Sequence, residues 1–258
     1  MRTLKTVLLL ACALFSTAFL IQAQEDSTTQ AYWVHEDQVR PSMVMEYEKA
    51  AKELAANCKE HNIQGLSWIT SSTMDFRYFY ITPISSMADI TYDGFGPLQE
   101  KMGEEAFNKM FSDMDKCYDA HGNYVLLLDK ELSYMPDGIT QTTEGEDYRK
   151  FYYLTTTPEH LGAMTKAFKG VKDMYEQKGS KMHYRVYRSG FGNMDTYFMV
   201  ALSDKDGISF ETRSAENDTL LGEDAAAVFG EVMKYATGIE QITGRMRPDL
   251  AYSPKEEQ

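Results

Sequence analysis

Apolar side chains recur at Val44, Tyr47, Ala51, Leu54 and Cys58, a three-and-four spacing that gathers them on one face of a helix. Pro41 or Ser42 marks the start of that helix, because proline suits the first helical turn. The stripe returns 117 residues later as Leu161, Met164, Phe168, Val171 and Tyr175, opened by Pro158. A second stripe, Phe107, Met110, Met114 and Cys117, is matched 119 residues on by Ala226, Phe229, Met233 and Ala236. Between the stripes, β-branched and aromatic runs predict strands over 32–35, 66–70, 76–82 and 124–132, and again over 150–155, 182–188, 197–202 and 239–251. Pro248 must interrupt or edge the last of these.

The order is β-α-β-β-α-β, twice. Short matches support a duplication: Glu131-Leu132-Ser133-Tyr134-Met135-Pro136 answers Asp249-Leu250-Ala251-Tyr252-Ser253-Pro254 at a separation of 118. Tyr78-Phe79 and Gly103-Glu104-Glu105-Ala106 answer Tyr197-Phe198 and Gly222-Glu223-Asp224-Ala225 at 119, and Lys49-Ala50 answers Lys166-Ala167 at 117. Each repeat reads as a split βαβ, or ferredoxin-like, unit with its helices on one face of an antiparallel sheet. The other face, rich in Tyr, Phe and Met, has no cover within its own unit, and leaving it wet forfeits about 25 cal/mol per Å². Two such sheets solve the problem by covering each other. The expected fold class is therefore α+β: a first unit over 31–136, a linker over 137–149 and a second unit over 150–254, packed sheet to sheet as an intramolecular barrel.

On element order and duplication, the chain resembles the dimeric α/β-barrel superfamily, which includes antibiotic-biosynthesis monooxygenases and haem-handling relatives. The resemblance implies a barrel with helices outside and, in many relatives, a cavity between the sheets.

The first 23 residues read as an export signal, with Arg2 and Lys5 before the apolar run 7–20 and Ala23 at the cut. That run is shorter than the roughly 20 residues a spanning helix needs, so a periplasmic or secreted protein is expected. The formal charge of −13 becomes more negative once Arg2 and Lys5 are removed, which repels phosphate backbones and argues against nucleic acid. Cys58 and Cys117 fall on helical stripes and read as buried free thiols, at opposite ends of antiparallel helices.

Strand alternation suggests where a ligand would sit. Phe79 and Ile81, with Phe198, Val200 and Leu202, are uniformly apolar and are expected under the helices. Tyr78, Tyr80, Tyr197 and Met199 are then expected to face the interior, lining a cavity or simply filling the barrel. His183, Arg185 and Tyr187 alternate on the same strand, opposite Tyr184, Val186 and Arg188. Whichever face is inward, an arginine enters and needs a carboxylate partner or an acidic ligand. His183 is the one histidine placed within a strand, and the one candidate for a haem ligand. No metal-binding motif, phosphate loop or nucleophile arrangement can be read, so no metal or cofactor is assigned and the catalytic residues are unknown. The stretch 203–222 is longer than its counterpart and reads as a lid, an interaction loop or a surface insertion.

Three functions remain open: a module binding a small aromatic or apolar molecule between the sheets, a cofactor-independent monooxygenase, or a scaffold acting through its acidic surface. A chain that closes its own barrel is expected as a monomer or weak homodimer.

Overall fold

The computed structural model describes residues 28–90 and 94–255; the expected export signal lies outside them. Eight strands form a closed antiparallel barrel: β1 (Thr29–Val39), β2 (Ile69–Thr73), β3 (Arg77–Ile84), β4 (Tyr118–Tyr134), β5 (Tyr148–Thr156), β6 (Tyr184–Ser189), β7 (Thr196–Asp204) and β8 (Gly238–Met246). Six α-helices lie among the described residues: α1 (Val44–Glu60), α2 (Gly96–Met102), α3 (Glu104–Asp115), α4 (Leu161–Lys178), α5 (Gly207–Leu221) and α6 (Asp224–Met233). Around the barrel the strands run β1-β3-β2-β8-β5-β7-β6-β4. Each repeat thus contributes a four-stranded sheet, and the sheets join edge to edge at β2·β8 and β4·β6. Closure leaves no free sheet edge to pair with other chains. At the β2·β8 seam a Cβ on Gly244 would fall 2.5 Å from the Ser72 carbonyl oxygen, so this close approach requires glycine.

Three cores follow from this arrangement. α1 and α3 cover the first sheet over Tyr47, Leu54, Cys58, Met110, Met114 and Cys117. α4, α5 and α6 cover the second over Met164, Phe168, Val171, Phe210 and Val232. The third fills the barrel and draws on both repeats: Tyr32, Val34, Phe79, Leu126 and Leu128 meet Phe151, Tyr187, Met199 and Ala201. The long helices follow the expected stripes at an offset of 117, each entered through a short 3-10 turn at Pro41–Met43 or Pro158–His160. Cys58 and Cys117 are free and buried.

The structure corrects several expectations. In the first repeat the faces of β3 are reversed: Phe79 and Ile81 point into the barrel, and Tyr78 and Tyr80 lie under α1. The face assigned to Tyr197 and Met199 is correct, so the aromatic pairs do not superpose. Interior residues correspond at 118, Phe79 with Tyr197 and Ile81 with Met199. Matching at 119 slips the register by one and turns every side chain over. The stripe expected for α6 holds in part: Phe229 and, just past the helix, Ala236 pack against the core together with Ala225 and Val232, whereas Ala226 and Met233 are exposed. The stretch 203–222 is neither lid nor loop, since α5 occupies it and buries Phe210, Asn217 and Leu221. Finally, β1 and β4 run well beyond 32–35 and 124–132, so His35 and His121 stand inside strands. β8 stops at Met246, before the 3-10 turn Pro248–Leu250.

Candidate functional site

A cavity inside the barrel measures about 50 Å³ and is walled by apolar groups from both repeats, including Ile81, Leu126, Phe151, Met199 and Met246. That volume admits a few water molecules. At one end the lining changes character: Arg149 of β5, Arg185 and Tyr187 of β6, Tyr32 of β1 and Ser71 of β2 converge there. Both arginines are only 2% exposed.

Neither guanidinium has a carboxylate within ion-pair distance among the described residues. Both instead donate to main-chain oxygens of the segment 137–147, which crosses this end of the barrel between the repeats. Arg185 Nη1 donates to the Thr140 carbonyl at 2.7 Å. Arg149 Nη2 donates to the Gln141 carbonyl at 2.9 Å, and Nη1 to the carbonyls of Tyr148 (2.9 Å) and Glu146. The Gln141 side chain enters the cavity, accepting from the Tyr187 hydroxyl and donating to the Tyr32 hydroxyl at 3.1 Å. The 137–149 stretch is therefore a strap, largely exposed outside and tied to the interior by a handful of polar contacts.

The electrostatics are those of an underneutralised positive pocket. Burial, and after it the charge of Arg185, lowers Arg149 to about 10. Burial also pushes Tyr187 up to about 12, so its phenol stays protonated and available as a donor at neutral pH. Burying charge without an opposite partner is costly, and carbonyl dipoles recover only part of that cost.

Of the sequence-derived candidates, Arg185, Tyr187 and Met199 line this cavity, and Tyr197 packs further along the same interior. Tyr78 and Tyr80 lie on the other side of the wall, where Tyr78 donates to Glu48 Oε1 at 2.8 Å and Tyr80 shares a 2.8 Å hydrogen bond with Tyr47. His183 precedes β6, packs against Tyr134 and does not line the cavity, so it is not placed to bind haem there. Sequence reading missed Arg149, Tyr32 and Gln141. The alternation Arg149, Phe151, Tyr153 along β5 carried a signal for the first, whereas Gln141 carried none, because nothing in a linker's composition says that it folds inward.

No protein-family model matches the sequence, and no curated protein matches it. Solved structures do. An anthrone oxidase-like protein superposes with a TM-score of 0.55 at 13% identity, over 84% of this chain and 91% of its own. The chain shares the α/β-barrel fold of that protein. Provisionally assigned monooxygenases from Lactobacillus acidophilus (10% identity, 87% of this chain and 96% of that one) and Fusobacterium nucleatum (11%, 84% and 92%) superpose less well, each with a TM-score of 0.49. At 13% identity the likeness to the anthrone oxidase-like protein establishes the α/β barrel alone. Within it, the two-arginine end belongs to this chain's own residues, and so does the strap that closes it.

Proposed function

We propose that this α/β barrel is a binding protein for a small acidic molecule with an apolar body, acting outside the cytoplasm after export. The observation that carries the reading is the pair of buried guanidiniums, Arg149 and Arg185, served by strap carbonyls and by no carboxylate. A bound carboxylate would accept from both through charge-assisted hydrogen bonds, roughly twice as strong as neutral ones. It would relieve their mutual repulsion at the same time. The tyrosine hydroxyls of Tyr32 and Tyr187 add donors beside it, and the apolar wall suits the rest of the molecule. Because the cavity is only about 50 Å³, the ligand takes the place of Gln141 and the strap lifts to admit it. Oxidation of an aromatic substrate, the chemistry suggested by the name of the anthrone oxidase-like neighbour, would use the same chamber and is separated from binding by turnover.

The test is calorimetric titration of the purified chain with aliphatic and aryl carboxylates, each against its own amide, with the ligand recovered intact afterwards. Acids are expected to bind in preference to their amides, and Arg185→Met to abolish the preference. A panel in which no acid is preferred over its amide overturns the reading, and recovery of an oxidised ligand replaces it with the enzymatic one.

A further inference from the structure

On the outer side of the barrel wall, away from the cavity, strand register gathers a second polar cluster. β1 and β4 pair antiparallel with Asp37 opposite His121 and His35 opposite Asn123. Alternate residues of a strand share a face, so all four side chains fall on one patch. His35 Nε2 lies 3.1 Å from Asp37 Oδ1, and His121 Nδ1 lies 3.9 Å from the same oxygen. All three atoms are within 4.8 Å of one another.

The two carboxylate oxygens of Asp37 are treated differently. Asp37 is 2% exposed. Its Oδ2 accepts from the Tyr47 hydroxyl at 2.6 Å, and Tyr47 is itself hydrogen-bonded to Tyr80. Among the described residues no donor is aimed at Oδ1 within hydrogen-bond geometry. His35 Nε2 is near enough to donate to it, yet the ring N–H direction misses it. Two such atoms, 3.1 Å apart and not aimed at each other, are placed to aim at a common third point. On the far side of the ring, His35 Nδ1 sits 2.9 Å from Asn123 Oδ1. Donation there leaves Nε2, the nitrogen beside the carboxylate, as the ring's ligating atom.

We propose that Asp37 Oδ1, His35 Nε2 and His121 Nδ1 bind a divalent transition-metal ion of the zinc class on the outer face of the barrel. Bonds of about 2.0–2.2 Å at the tetrahedral angle hold neighbouring ligand atoms about 3.3–3.6 Å apart, between the two distances found. Two imidazoles and one carboxylate suit zinc and fill three of its four positions. His121 is half-exposed, so the fourth position opens to water. Tyr47 and Asn123 supply the outer hydrogen bonds that ligating carboxylates and histidines ordinarily receive. The cluster is separate from the arginine end of the barrel and does not depend on the proposed ligand.

The alternative occupant is a proton on His35, paired with Asp37 and needing no metal. Titration of chelator-treated, full-length chain with Zn²⁺ decides between them. One ion is expected per chain. Binding should weaken more than about 100-fold in His121→Ala, whose exposed side chain can be removed without disturbing the core, and about 10- to 100-fold in Asn123→Ala, which removes only an outer hydrogen bond. Co²⁺ should give the intense visible bands of a low-coordinate site. Absence of one-to-one binding, equal affinity in His121→Ala, or only the weak spectrum of hydrated Co²⁺ would each overturn the proposal.

Discussion

Tyr252 donates its hydroxyl at 2.8 Å to the carbonyl of Ile63, 189 residues earlier in the chain and just past the end of α1. The repeat mirrors the contact: Tyr134 donates at 2.9 Å to the carbonyl of Ser180, just past α4. The duplicated Leu-x-Tyr motif is thus a reciprocal lock, since Leu132 and Tyr134 of the first repeat pack in the helical core of the second, and Leu250 and Tyr252 do the converse. Neither repeat owns a complete core. Tyr252→Phe is expected to cost about 1 kcal/mol through the lost hydrogen bond, and Tyr252→Ala about 3–5 kcal/mol through the cavity. In urea unfolding both variants should keep a single transition for the whole chain. A second transition, with one repeat surviving the other, would contradict the lock.

A polar clamp reinforces the same junction. Arg247, at the end of β8, donates to both oxygens of Glu48 on α1 and to both of Asp249. Arg247 foremost, with Lys52 helping, holds the Asp249 carboxyl down at about 2, and Arg247 lowers Glu48 as well. A carboxyl whose folded value lies below its unfolded one stabilises the fold above the unfolded value, about 4, and loses that contribution as pH falls through the folded one. The clamp should therefore weaken between about pH 4 and pH 2. Glu48→Gln is expected to cost about 2 kcal/mol at pH 7 and distinctly less near pH 2, because the carboxyl that it replaces loses its charge as pH falls. Chemical denaturation at the two pH values measures this, and an equal cost at both would show that the charge does not matter.

The thiols give a kinetic readout. Burial alone pushes Cys58 up to about 11, and burial is also the main cause raising Cys117. Because the thiolate is the reactive species, iodoacetamide at pH 8 should leave both unmodified in folded protein and alkylate both in urea. Peptide mapping checks this for each cysteine, and rapid labelling of either in the native state would place it nearer the surface than its core packing allows.

How much of this was legible in the sequence varied with the element. The α1 and α4 stripes were, because five apolar positions at helical spacing constrain a face by themselves, and their offset of 117 is the one the structure keeps. β3 was not: Tyr78-Phe79 and Tyr197-Phe198 look identical but sit one residue out of register, and a strand with aromatics at consecutive positions gives no internal clue to which side is inward. The arginine end was half legible, since either Arg185 or Arg188 had to enter whichever face of β6 was inward, while the acceptors came from a linker without pattern. The His35–Asp37–His121 cluster was invisible. Its members are brought together only by the pairing of β1 with β4, and polar runs such as Asp119-Ala120-His121-Gly122-Asn123 have the composition of turns.

The strap offers the last prediction. Gln141 is its anchor, since its side chain alone reaches the Tyr32 and Tyr187 hydroxyls inside the barrel. Gln141→Ala removes both contacts but leaves the main-chain carbonyls that serve Arg149 and Arg185. Losing about two neutral hydrogen bonds costs the closed strap roughly 1–3 kcal/mol. That raises the population of the open strap by about 5- to 150-fold without touching either helical core. Limited proteolysis should therefore cut Gln141→Ala within 137–147 faster than the parent by a similar factor, while global stability to urea changes by less. If cleavage rates match, the backbone contacts to the arginines hold the strap unaided, and ligand entry must use the opposite end of the barrel, where Tyr124 donates to Glu36 at 2.9 Å and Arg77 pairs with Asp75 and Glu240.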